Sequence, residues 1–126
     1  MESESLRAQF SRIRRLYFPK WSAGKYWKVQ NGNRRGGSAL TGFCDTKRRI
    51  VFVSDRSDSL LIHEICHAVA SSGHGIVWQR RMVAASVMAL RLGNVRVANE
   101  LRDEVAAYQN AILEVQRAKI ASSSRP

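Results

Sequence analysis

The chain has 126 residues, 44% hydrophobic and 25% charged, which is typical of one globular domain with its own core. No apolar run approaches the roughly 18 residues of a membrane-spanning helix. The acidic first residues do not resemble a secretory signal, and two cysteines cannot build a disulfide framework. With a net charge of +11, we expect a cytoplasmic protein, nucleoid-associated or phage-encoded among the options, with reduced thiols and no membrane contact.

The first segment predicts an amphipathic helix that ends near Phe18, because Pro19 cannot continue it. Ser3 or Ser5 can cap its first turn. Apolar residues recur there at helical spacing and predict a face turned to the core. These residues are Leu6, Phe10, Ile13 and Tyr17.

Three short extended runs follow and predict a small sheet, with strands at about 26–30, 38–44 and 49–54. Turn signals separate them, at Asn31-Gly32 and at residues 45–48. The third run, Ile50-Val51-Phe52-Val53, is apolar on both faces. A strand of that kind is expected in the middle of a sheet.

The next helix carries His63-Glu64-Ile65-Cys66-His67, capped by Asp55, Ser57 or Asp58 and ending near residue 72. Residues four apart share one face of a helix, so His63 and His67 can bind one metal ion together. Glu64 lies about 100° further round the helix. That position is beside the metal, where a general base can take a proton from water.

A third imidazole follows in Gly73-His74-Gly75, where the glycines allow the chain to turn back towards the ion. The chain has only three histidines. Three protein ligands and one position left for water are typical of a catalytic zinc site, whereas structural sites have four closed ligands. We therefore predict one Zn²⁺ ion held by His63, His67 and His74, with Glu64 as the catalytic base.

Two more helices are predicted, the third from about Val77 to Leu92 and the last after Gly93-Asn94. The last helix has an apolar seam expected to pack on the third helix, with a dimer seam as the alternative, so a monomer is favoured over a homodimer. Its residues are Ala98, Leu101, Val105, Tyr108, Ile112 and Val115. We expect one domain over 1–120 and a disordered tail over 121–126.

The motif and its context resemble the SprT-like metallopeptidase family, which includes Spartan-type proteases that degrade proteins crosslinked to DNA. The matching pattern is His63-Glu64-x-x-His67, Gly73-His74-Gly75 and an aromatic residue, Trp78, three residues later. The likeness covers roughly residues 42–82. It departs from many members at Ile76, where they have proline, and this sequence lacks the C-terminal Cys-x-x-Cys zinc ribbon that several members carry. It implies an α+β, zincin-like minimal metalloprotease domain with about three strands in an antiparallel or mixed sheet, about four helices and the histidine motif on a central helix. It also implies that substrate adds to an edge strand, expected within residues 38–44.

The sequence alone does not decide whether a glutamate also binds the metal, or which residue stabilises the oxyanion of the reaction. In gluzincin-type or ImmA-like enzymes a glutamate from a later helix completes the metal site, and Glu100 or Glu104 could serve. The oxyanion of the reaction could be stabilised by Tyr26, Tyr108 or Arg81.

The positive charge is concentrated in the first half of the chain. Residues 1–56 contain 13 lysines and arginines but 4 aspartates and glutamates, which leaves only +2 for residues 57–126. Such asymmetry indicates a nucleic-acid partner, with single-stranded DNA favoured, although general basicity has the same signature. Candidate contacts are Arg12, Arg14, Arg15, Arg34 and Arg35. Trp21, Tyr26 and Trp27 alternate with lysines, which suits stacking on bases but also ordinary core packing.

The leading hypothesis is thus a zinc-dependent endopeptidase that hydrolyses a protein or peptide substrate, acting on proteins in a DNA context. One alternative is a nucleic-acid-binding module in which zinc is structural. Another is an ImmA-like protease that cleaves a repressor. Glu64 separates the first two hypotheses, because a structural zinc site has no use for a carboxylate at that position.

Overall fold

The computed structural model describes residues 4–32, 42–71 and 73–123. Helix α1 spans Leu6–Tyr17, and a short 3₁₀ helix follows at Ser22–Tyr26. Strands β1, β2 and β3 span Lys28–Asn31, Gly42–Asp45 and Ile50–Val53, and helices α2, α3 and α4 span Asp58–Ala70, Ile76–Arg91 and Val95–Ser123. The fold class is α+β, as predicted. Within the described residues, no helix has both the length and the apolarity needed to cross a membrane.

The sheet is mixed, with the strand order β1-β3-β2. Strand β3 pairs in parallel with β1 and antiparallel with β2, so the third strand is the central one, as its two apolar faces predicted. Strand β2 forms one edge. The part of the second predicted strand at 38–41 lies outside the described residues.

The first strand begins later than predicted. Residues 22–26 form a 3₁₀ helix instead, closed by a hydrogen bond from the Trp27 amide to the Gly24 carbonyl. The Trp21 and Trp27 rings lie 5.7 Å apart, so packing of the two indoles turns the chain where alternation alone predicted extension. Tyr26, predicted to be a strand residue, is 61% exposed.

Helix α2 contacts each of the other α-helices and both β2 and β3. Ser57 caps it by accepting a hydrogen bond from the Leu60 amide, which selects one of the three predicted caps. One side of α2 is deeply buried, and Leu61, Ile65 and Cys66 are each at most 1% exposed. This burial fixes the helix that carries the histidine pair.

Helices α3 and α4 pack against each other and are joined by a short turn in which Gly93 has a φ of +78°. Ala98, Leu101 and Val105 of α4 are buried in the core, which confirms the predicted seam against α3 for this part of the helix. The side chains of Ile112 and Val115 lie outside what the structure describes. Helix α4 also continues to Ser123, three residues into the expected disordered tail.

A polar network ties α1 to the start of α2. Asp58 accepts hydrogen bonds from the Arg12 guanidinium at 2.9 and 3.2 Å and from the Gln9 amide at 2.8 Å. Arg12 also pairs with Glu4 at 2.9 Å, and its pKa is raised by these bonds. Arg12 therefore links α1 to the start of α2, and its two carboxylate partners, Glu4 and Asp58, belong to the same chain.

We predict that Asp58→Ala lowers the free energy of unfolding by about 1–3 kcal/mol, because Arg12 and Gln9 lose a partly buried acceptor. Urea unfolding measures the change. Asp103→Ala is the matched control, since Asp103 is exposed on α4 and such surface changes stay within about 0.5 kcal/mol. Equal effects of the two substitutions would contradict the structural role of the network.

Candidate metal centre

The three histidines converge on one point. His63 and His67 lie one turn apart on α2, and His74 lies in the loop between α2 and α3. Their Nε2 atoms are separated by 3.2 Å (His63–His67), 3.1 Å (His67–His74) and 3.3 Å (His63–His74). Among the described residues, this is the one group of three or more metal-ligating side chains close enough to hold an ion.

These separations fit a zinc ion. Tetrahedral geometry with Zn–N bonds of about 2.0–2.1 Å places ligand nitrogens about 3.3 Å apart. A neutral imidazole whose Nδ1 holds the proton has a bare lone pair on Nε2. Three such lone pairs facing each other repel unless a cation lies between them. Burial, together with the neighbouring His67 and His63, lowers the pKa of His74 to about 4, which keeps this imidazole in the neutral form that binds metals.

The loop that delivers His74 is fixed by backbone contacts. Helix α2 ends at Ala70, and the capping residue Ser71 adopts left-handed dihedrals (φ 53°, ψ 36°) and donates its amide hydrogen to the His67 carbonyl. The His74 carbonyl accepts a hydrogen bond from the buried Gln79 side chain at 3.1 Å. The chain therefore reverses at a defined place and returns the imidazole to the pair on α2.

Aromatic rings enclose the imidazoles on two sides. Trp78 is fully buried, with its ring centroid 5.0, 5.5 and 4.7 Å from those of His63, His67 and His74. Its Nε1–H donates to the His63 carbonyl at 3.3 Å. Tyr108 of α4 stacks on His74, with ring centroids 3.9 Å apart and planes 6° from parallel. The ring orientations are thus set by packing before any ion binds.

Glu104 is not placed as a metal ligand, the role that the sequence left open for it. Its Oε2 lies 2.6 Å from Nδ1 of His63, on the side of the ring away from the Nε2 cluster. A carboxylate there fixes the tautomer with the proton on Nδ1 and increases the basicity of Nε2. Glu100 accepts a hydrogen bond from Ser59 at 2.6 Å and pairs with Arg96. Neither glutamate belongs to the ligand group in the structure.

Glu64 lies beside the cluster. Its Oε2 is 3.9 Å from Nε2 of His63, and the residue is 5% exposed. Burial raises the pKa of this carboxyl to about 7, against the lowering effect of His63. Gly42 of β2 lies directly over it, since a Cβ there would stand 2.7 Å from Oε2. Any side chain at position 42 would therefore displace the Glu64 carboxylate from this position.

The centre opens into a cleft of about 610 Å³ between β2, α2, the His74 loop and α4. The β2 residues Gly42, Phe43 and Cys44 form one wall, and Glu104 and Tyr108 of α4 contribute to the lining. Burial raises the pKa of the Cys44 thiol to about 12, so it stays protonated. Of the three residues considered for oxyanion stabilisation, Tyr108 lines this cleft, whereas Tyr26 and Arg81 do not.

Of the residues predicted to contact nucleic acid, the three that the structure describes do not line the metal cleft. Arg12 is held by Glu4 and Asp58. Arg14 and Arg15 line a second cavity at the end of α1. The other two predicted contacts, Arg34 and Arg35, lie outside the described residues.

Two contributors to the site were missed from the sequence. Gly42 has no motif around it, and its role depends on how closely β2 approaches α2. Gln79 stands in the first turn of α3, one residue after Trp78, and its burial, with 6% of the residue exposed, is known only from the structure. The sequence singles out Glu104 and Tyr108, but their spacing of four on one helix does not by itself indicate a shared role.

We predict that Glu104→Gln lowers zinc affinity about 10–100-fold, the range typical for loss of a carboxylate behind a ligating histidine. Competition with a chromophoric chelator measures it. Glu100→Gln, one turn earlier on α4 and bonded to Ser59 and Arg96, should leave zinc affinity unchanged. Equal losses in the two variants would contradict the specific role of Glu104 and point to a general effect on α4.

No protein-family model matches the chain, and no curated protein or solved structure matches it either. What the site does must therefore be inferred from its own residues. A functional assignment has to account for three features of the site. These are three facing Nε2 atoms, a buried carboxylate beside them, and a cleft bounded by a strand edge.

Proposed function

We propose that the protein is a zinc-dependent endopeptidase. The single observation that carries this proposal is the Glu64 carboxylate, 3.9 Å from a nitrogen of the three-histidine cluster and facing the same cleft. A structural zinc site needs a fourth protein ligand, and among the described residues none joins the three histidines. A buried carboxylate next to an incomplete ligand set supports hydrolysis over a structural role.

A zinc ion bound by the three histidines would polarise a water molecule and the carbonyl of the peptide bond to be cleaved. Glu64 then acts as the general base, since its carboxylate takes one proton from the water as the water oxygen attacks the carbonyl carbon. The same carboxyl group passes that proton to the amide nitrogen as the C–N bond breaks. The second proton of the water also ends on the leaving nitrogen, so the products are a carboxylate and a protonated amine, and Glu64 returns to its starting state.

Tyr108 is the residue we assign to stabilise the substrate carbonyl as negative charge develops on its oxygen. Burial, Glu104 and Glu64 raise the pKa of its hydroxyl, so the hydroxyl keeps its proton and can donate a hydrogen bond. Its stacking on His74 holds the ring beside the metal centre. Because the donor is pre-positioned, it needs no reorganisation during the reaction.

The edge of β2 offers a binding surface for an extended peptide. Strand β2 pairs on one side with β3, and Gly42, Phe43 and Cys44 line the cleft. A substrate segment that adds to such an edge by backbone hydrogen bonds is held without regard to most of its side chains. This mode suits cleavage within unfolded or extended stretches of a protein.

The arrangement is compatible with a zincin-like fold and with membership of the SprT-like family, which we retain as a proposal with proteins bound to DNA as the substrate class. In an ImmA-like site a glutamate would complete the ligand set, and the position of Glu104 on Nδ1 of His63 does not favour that interpretation. The lack of a fourth protein ligand among the described residues thus argues against a structural zinc site, and the place of Glu104 argues against an ImmA-like one. Both observations support a three-histidine hydrolytic site.

We predict that Glu64→Gln folds and retains zinc but loses peptidase activity by about 10²–10⁴-fold, because an amide cannot accept the proton. The assay uses an unfolded, lysine-rich protein as substrate, with and without single-stranded DNA, and zinc content is measured on the same samples. Glu114→Gln, an exposed change on α4, is the control and should cleave as the wild type does. Equal cleavage by wild type and Glu64→Gln under every condition would refute the proposal.

A further inference from the structure

Helix α3 and the turn after it expose an unusual amount of apolar surface. Of the nine large hydrophobic side chains that are exposed in the described part of the chain, seven lie between residues 76 and 95. The exposed face of α4 is different, since between residues 96 and 110 it carries only polar side chains and alanines. Single exposed apolar residues are ordinary, whereas a contiguous group of them marks an interaction surface.

Four of these residues form a row along α3, which we call the α3 stripe. Ile76, Val83, Val87 and Leu90 are 61, 44, 37 and 44% exposed. Together with Arg80 they stand at intervals that alternate between four and three residues, which is the spacing of a seam between two packed helices. Valine is a poor helix former, so local propensity does not account for two exposed valines here. At 1.5 Å per residue the stripe is about 21 Å long, enough to accommodate a second helix.

The charged side chains at the α3 stripe are all basic. Arg80 stands within the row and Arg91 directly follows Leu90, and both arginines are exposed. Helix α3 contains no aspartate or glutamate. Neither arginine forms an ion pair with a carboxylate of the described residues. A helix with acidic side chains beside an apolar seam would complement this surface in both shape and charge.

Other occupants match the α3 stripe less well. In a second copy of the chain, α3 would again present arginines and no acidic residue, and the net charge of +11 on each copy adds repulsion. Outside the described residues, the chain has a single acidic residue, Glu2. Helices that lie on membranes insert a broad apolar face that commonly carries aromatic residues, whereas this stripe is narrow and has none.

We propose that the α3 stripe is the docking site for an amphipathic helix of another protein, with carboxylates on both sides of its apolar seam. The seam packs on the stripe, and the carboxylates pair with Arg80 and Arg91. Ile76 follows His74 by two residues, yet no residue of the stripe lines the metal cleft. The partner is thus held beside the metal centre while the cleft stays open. Docking does not depend on hydrolysis, so either proposal can fail without the other.

The test uses a designed, fluorescein-labelled helical peptide of about three heptads, with leucine at the seam positions and glutamate at the flanking positions. Anisotropy measures its binding to the zinc-loaded protein. Val83→Gln/Val87→Gln keeps every charge and should bind at least about tenfold more weakly, because two apolar contacts are lost. Ala106→Gln/Ala107→Gln places the same side chains at exposed positions of α4 and should bind as the wild type does.

A second pair of variants tests the charge. Arg80→Gln/Arg91→Gln should weaken binding about threefold or more and abolish the preference for the glutamate peptide over one with lysine at the same positions. Arg7→Gln/Arg102→Gln removes the same charge from exposed positions of α1 and α4 and should preserve that preference. Thermal unfolding and zinc content report on the fold of each variant. If the valine pair unfolds, Leu90→Gln replaces it.

Four results would overturn the proposal. The first is no saturable binding of the glutamate peptide by the wild type up to about 0.1 mM, a weak affinity for any specific contact. The second is equal binding of the lysine peptide. The third is a wild-type dimer in sedimentation that Val83→Gln/Val87→Gln abolishes, which would make a second copy the occupant. The fourth is binding to phosphatidylglycerol vesicles that the same variant abolishes, which would make the stripe a membrane contact.

Discussion

The convergence of three imidazole Nε2 atoms within 3.3 Å of one another is the constraint on which the site depends. When the imidazole protons are on the Nδ1 atoms, the bare Nε2 lone pairs repel at this distance, so in the absence of a cation the surroundings must hold the arrangement. The surroundings are built accordingly. Trp78 lies against all three rings, and Gln79 holds the backbone carbonyl of His74. The binding free energy of a metal ion would therefore not be spent on ordering the ligands, and a bound zinc ion would in turn stabilise the fold.

Helix α4 is part of this centre although it supplies no ligand. Glu104 holds His63 through Nδ1, and Tyr108 covers His74, so two residues one turn apart on α4 orient two histidines on different elements. The burial of Leu101 and Val105 against the core sets the height of α4 over the site. Packing of the helical pair α3–α4 is thus coupled to ligand geometry.

Local chemistry made much of the fold predictable. The helical repeat alone placed His63 and His67 on one face, and two apolar faces made residues 50–53 the central strand. Other features depend on contacts between distant parts of the chain and leave no local signal. The space over Glu64 exists only because Gly42 arrives there from β2. A carboxylate on α4 could be a ligand or a partner of a ligand, and only the side of the His63 ring that Glu104 meets decides between them.

X-ray absorption at the zinc edge of the loaded protein tests the central claim most directly, together with the zinc content per chain. We predict one zinc ion with three imidazole nitrogens and one further oxygen at about 2.0–2.1 Å, and loss of one imidazole from that shell in His74→Ala. Sulfur scattering at about 2.3 Å, an unchanged imidazole count in His74→Ala, or a wild-type protein that retains no zinc would contradict it.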